Sequence, residues 1–136
     1  MSTTSNRNRL RFDRAEVTEE TAGRCRVLVS LTLGKLVFQG DAEEAAAGSG
    51  PLKAAAAATL KAVQQAAADR FTCSLSDLDH VNALGKDLIA VLVDVKFEGR
   101  DVQVFGSCQL DGGEIDAAVK SALNATNRFF ELAMRN

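Results

Sequence analysis

The residues best placed for chemistry are Gly48-Ser49-Gly50-Pro51 and the helical stretch they introduce. Glycines ahead of a helix let a ligand approach the backbone. Pro51 suits a first helical position, where its missing N–H would have had no partner anyway. The N–H groups of Leu52 and Lys53 that follow can bind a carboxylate, because a first helical turn carries unpaired donors and the positive dipole end. Leu52, Ile115 and neighbouring alanines have the size to line a small apolar pocket. This is the chemistry of recognition, not of bond making. A Gly-Pro start and a face of small residues also serve any helix packed tightly on a sheet, so both readings stand at this point. A phosphate-binding loop is excluded: the Lys-Ser/Thr pair is missing, and Pro51 weakens an anion nest.

Other reactive side chains lack partners. His80 is the single histidine, without the spacing of a catalytic triad or metal site. Asp77 and Asp79 flank it, but strand alternation turns them away from the face of Leu78 and His80. Asp41, Glu43 and Glu44 read as a solvated acidic loop. Cys25, Cys73 and Cys108 fall in strand-like stretches without metal-ligand spacing and read as small buried hydrophobes. No catalytic residue, metal or cofactor is therefore expected. Arg7, Arg9, Arg11 and Arg14 raise nucleic-acid binding. With no Tyr or Trp and a net charge of −2, stacking platforms and a basic field are both scarce, and that function is not expected.

At 136 residues the chain fits one domain. No apolar run approaches the roughly 20 residues that span a bilayer, so no membrane partner is expected. Met1 to Arg9 lacks an apolar signal core, which leads to a cytoplasmic expectation.

The elements that must position these residues follow from periodicity. Met1 to Asn8 is expected to be a frayed tail. A first strand runs from about Arg9 to Thr18, with a phase slip after Phe12 of the kind a bulge causes. Arg24 to Leu33 alternates cleanly, Gly34-Lys35 is a hairpin turn, and a third strand runs from Leu36 to about Asp41. A loop from Asp41 to Gly50 leads to an alanine-rich helix from Pro51 to Asp69. Strands follow at Cys73–Val81, Asp87–Phe97 and Asp101–Gly106. A helix from Glu114 to about Met134 has Glu114 and Asp116 at its positive end.

The chain thus says the same thing twice. Cys25, Val27, Val29, Leu31 and Leu33 form an alternating apolar row, and 64 residues later Ile89, Val91, Val93, Val95 and Phe97 form another. Gly40 matches Gly106, Leu36 matches Val102, Phe38 matches Val104 and Leu52 matches Ile115. Each half is strand-strand-strand-helix, about 9–69 and about 71–134. The predicted fold is α+β, two βββα repeats with pseudo-two-fold symmetry, their helices packed on one face of antiparallel sheet.

Four segments carry a family resemblance. Gly48-Ser49-Gly50-Pro51-Leu52 with Ala54 looks like a G-x-G-P-[VL]-x-A helix start. Leu75 to Val81, with Asp77 and Leu78, looks like the strand that opens a second half. Gly106 followed by Ile115-Asp116-Ala117-Ala118 is similar to a G…I-x-x-A-S segment. Ala125-Thr126-Asn127-Arg128 looks like an A-x-N-R ending. Together, from about Leu10 to Phe130, they resemble the C-terminal regulatory (allosteric, dimerisation) domain of 2-isopropylmalate synthase and citramalate synthase. The chain is too short for that family's catalytic barrel, which takes roughly 250 residues. The resemblance therefore implies a non-catalytic, stand-alone regulatory domain. It implies a homodimer, a leucine or isoleucine ligand, and a separately encoded enzyme partner. It places ligand contacts at Gly48, Ser49, Gly50, Leu52, Lys53 and Ala54 in the first half, and at Ile115 and Ala118 in the second. The alternative is a structural or adaptor module without a ligand; RNA binding ranks last.

Overall fold

The computed structural model describes residues 9–135. The expected frayed tail, Met1 to Asn8 with its Arg7, lies outside the described residues. Eight elements follow in order: β1 (Arg11–Glu19), β2 (Arg24–Leu33), β3 (Leu36–Ala45), α1 (Gly50–Ala66), β4 (Thr72–Ala83), β5 (Lys86–Phe97), β6 (Arg100–Gln109) and α2 (Glu114–Met134). They form two antiparallel three-stranded sheets, β1-β2-β3 and β4-β5-β6, and two helices. The doubled βββα layout is as expected.

The layering is richer than the sequence indicates. α1 packs on β2 and β3 of its own sheet and also on β4 of the other. α2 packs on β5 and β6 and reaches β1. Each helix therefore touches both sheets and its sister, which makes the helix pair a middle layer. Burial agrees. Ala54, Ala55, Ala56, Ala58, Thr59, Leu60, Ala62 and Val63 are all no more than 1% exposed, and at 3.6 residues per turn they cover most of the helix circumference. A helix enclosed on three sides needs small side chains, which explains the alanines better than helix propensity alone.

Two glycines set the spacing between layers. A Cβ on Gly40 would lie 2.2 Å from Ala58 O, and one on Gly106 would lie 2.0 Å from Ser121 O. Each edge strand thus meets its helix backbone to backbone. The helices also reach round those edges. Lys61 Nζ donates to Asp41 O at 2.9 Å, and Asn124 Nδ2 donates to Ser107 O at 2.8 Å. These two positions are equivalent in the halves, and both occupy an acceptor that an unprotected edge would offer to another strand.

The ladders give the register of the repeat. Val29 pairs with Gly40 and Val91 with Gly106. Val91 therefore corresponds to Val29, 62 residues earlier, and not to Val27. The second hairpin continues to Phe97↔Arg100 where the first stops at Leu33↔Leu36, so each arm is two residues longer. A slip of two keeps every side chain on its face, which is why alternation alone could not fix it. The bulge between Phe12 and Arg14 is matched by one between Leu75 and Asp77.

β3 is longer than the sequence indicates. It runs on through the acidic stretch to Ala45, which pairs with Arg24. The cause lies across the ladder: Arg26 holds Asp41, and Arg24 Nη2 lies 3.8 Å from Glu43 Oε1. Cross-strand ion pairs turn a sequence that looks like a loop into strand.

Candidate functional site

Gly48 adopts φ +63° with open space about it, so it serves as a left-handed turn residue. Ser49 sits at the N-cap of α1 but makes no side-chain cap bond; its carbonyl accepts from Lys53 N at 2.9 Å. Gly48 and Ser49 are exposed and Lys53 is half-buried. Gly50 is different. It is buried, and a Cβ there would lie 1.8 Å from Ala45 O. Its lack of a side chain serves the contact between the helix start and the end of β3. A Gly50→Val change would therefore perturb folding before it could report on a ligand.

The apolar members of the expected site are core residues. Ala54 and Ala118 are fully buried and Leu52 is 9% exposed. Ile115 is half-buried and packs against the same cluster. All four join one hydrophobic core, yet among the described residues no hydrogen bond or ion pair links Gly48–Ala54 to Gly113–Ala118. Surface hollows occur elsewhere. One of about 410 Å³ lies between the start of β1 and α2, lined by Leu10, Phe12, Leu123 and Asn127 among others. One of about 520 Å³ lies on β4, β5 and β6, lined by Ser74, Asp94, Lys96, Asp101 and Gln103 among others.

Two of the remaining motif residues, Ala125 and Thr126, serve packing. Ala125 meets Gly106, and Thr126 Oγ1 donates to Ala122 O at 2.9 Å within α2. Ser121 Oγ lies 2.6 Å from Ala117 O and 2.9 Å from Ile89 O, so its one proton bridges helix and sheet. His80 is exposed with Nε2 3.7 Å from Asp87 Oδ1. Asp77 and Asp79 each accept from the next backbone N–H, at 2.8 and 2.9 Å. Among the described residues no cluster of three or more His, Cys, Asp or Glu side chains is gathered as a metal site. No helix among them is long and apolar enough to cross a membrane.

The cysteines are unpaired. Cys25 is buried, and Cys73 Sγ lies 3.5 Å from Leu60 O. Burial pushes the Cys73 thiol up from 9.0 to about 12, because a thiolate is costly away from water. Burial also raises Cys108, more weakly opposed by Lys120. Reaction with a thiol-specific reagent is expected first at Cys108, with Cys73 and Cys25 released only in denaturant. The linkage has a definite sign. The unfolded Cys73 ionises above about 9 while the folded one holds its proton to about 12. Stability should therefore fall as pH rises through that window, by at most ~1.4 kcal/mol per unit. Cys73→Ala should flatten this slope in urea melts at increasing pH. An identical slope would show that other groups set it.

Against known proteins, no protein-family model matches the chain, and no curated protein matches it.

Proposed function

We propose that this protein is a non-catalytic, regulatory-type domain that works by association, forming a homodimer and serving a separately encoded enzyme. One observation carries the reading. Of the six large apolar side chains that are exposed among the described residues, Leu36 and Val37 stand on the outer strand β3 and Val102 and Phe105 on the outer strand β6. Leu36 and Val37 offer a second copy an apolar strip on the first sheet, and Val102 and Phe105 leave apolar surface on the second for the enzyme partner. Sedimentation velocity over a wide concentration series tests it: a dimer is expected, and a monomer at every concentration overturns the homodimer.

A leucine or isoleucine ligand that biases the assembly is the finer part of the proposal. It is supported by the exposed Gly48-Ser49 turn and the first helical turn beyond it, with Lys53 half-buried beside them. Thermal-shift measurements with leucine, isoleucine and valine test it. A rise of a few degrees is expected for one of them, and no shift with any of the three removes the ligand while leaving the association.

A further inference from the structure

The two halves share one architecture, so positions at which their surfaces differ are not dictated by the fold. The outward faces of the two sheets differ sharply. On the first sheet two of the three central rows are polar, with Leu28 between them: Gln39 Nε2 donates to Ser30 Oγ at 3.0 Å, and Arg26 is held by Glu20 and Asp41. On the second sheet the equivalent positions are apolar. Phe105 stands beside Leu92 where the first sheet has Gln39 beside Ser30. Leu88 beside Val81 replaces Arg26 beside Thr18. Phe105 is 78% exposed. β-sheet formation does not require these residues, since the first sheet forms without them.

Carboxylates border this apolar patch on the same face. Asp77 is aligned with Leu92, and Asp79 with Ala90. Past the Leu92–Phe105 row the face dips into the hollow of about 520 Å³, where Asp94 and Asp101 stand with Lys96. Lys96 lies 4.0 Å from Asp101, and Asp94 accepts from Gln103 Nε2 at 2.7 Å. The charge balance of the face is acidic around an aromatic centre.

Resting on the association reading above, we propose that the outward face of the second sheet docks a basic partner segment. An apolar side chain of that segment covers Phe105 and Leu92, while its lysines or arginines reach Asp77, Asp79 and Asp94. A second copy of this chain fits the face poorly. Two such faces would set aspartates against aspartates. Of the arginines on the first-sheet face, Arg14, Arg24 and Arg26 already lie against their own acids, which leaves Arg11 at the start of β1 to reach an aspartate.

The test uses the full chain and two synthetic strand-forming peptides, one alternating lysine with valine and one alternating glutamate with valine. Binding is read by fluorescence anisotropy. The key variant is Leu92→Ser with Phe105→Gln, the residues that the first sheet carries at these positions, which the fold accepts. The lysine peptide is expected to bind the wild type, to weaken with salt, and to lose about tenfold or more in affinity for the variant. The glutamate peptide is expected not to bind. Absence of lysine-peptide binding, equal affinity for wild type and variant, or equal binding of both peptides would overturn the proposal. A second variant, Asp77→Asn with Asp79→Asn, changes only exposed groups and should weaken binding and flatten the salt dependence; an unchanged affinity also overturns it. Sedimentation of the same proteins separates the two readings. A wild-type dimer that the Leu92/Phe105 variant dissolves means that a second copy covers the face, and the basic partner falls. A dimer that persists while peptide binding is lost supports both.

Discussion

Gly106→Ala is expected to cost about 3 kcal/mol or more, near the upper end of overpacking effects and a large share of the stability of a small domain. The added Cβ would lie 2.0 Å from Ser121 O, 2.6 Å from Ala125 N and 2.8 Å from Ala125 Cβ. Two of these neighbours are backbone atoms of a helix enclosed between sheets, so neither can swing aside as the end of a side chain would. Gly40→Ala should behave alike, since its Cβ would meet Ala58 O at 2.2 Å and Ala62 N at 2.8 Å. Gly112→Ala is the control. Its Cβ would find only Asp116 Oδ2 at 3.8 Å, and its effect should stay within about 0.5 kcal/mol. Urea denaturation midpoints of the three variants decide the matter. If Gly106→Ala shifts the midpoint no further than Gly112→Ala, the backbone contact between β6 and α2 is not what holds the layers together.

Phe71→Ala should be the next most damaging single change, at about 3–5 kcal/mol for deletion of a buried aromatic ring. Phe71 is 2% exposed and lies in the short link from α1 to β4. Its ring meets Phe97 edge-on at 6.3 Å and Phe129 at 6.3 Å, and those two meet at 6.0 Å. The cluster joins the tip of the second hairpin to the last turns of α2. Beside it Arg70 Nη1 donates to Ala133 O at 2.7 Å, so the region after α1 is fastened to the end of α2. A double-mutant cycle with Phe97→Ala should return a coupling of about 0.5–1.5 kcal/mol. Additive costs would mean that the rings act only through the area they bury.

Much of this fold is legible in the chain. β2 and α2 match their sequence reading to the residue because one alternates cleanly and the other carries a long 3.6-residue stripe that opens directly after a glycine. The bulge after Phe12 shows itself as a phase change in the apolar pattern. The hairpin turns are legible from their glycines, and Gly85 and Gly99 take φ +75° and +78° as two-residue turns require. The end of β3 was not legible, because Asp41 to Ala45 is strand only through its partners across the ladder. The middle position of the helices was not legible either: an apolar stripe says that a helix is buried, but not against how many neighbours.

The candidate site divides in the same way. Composition and spacing by themselves determine a glycine-rich helix start and a doubled unit. Only the tertiary structure decides what each glycine does. Gly48 supplies a left-handed turn, while Gly50, Gly40 and Gly106 are glycine because another backbone occupies the space of their side chains. It also decides that Ala54 and Ala118 are core and that Phe105 is surface. Local pattern specifies which side of an element is apolar; whether that side meets a helix, a second sheet or water is set by residues distant in sequence, which no local pattern contains.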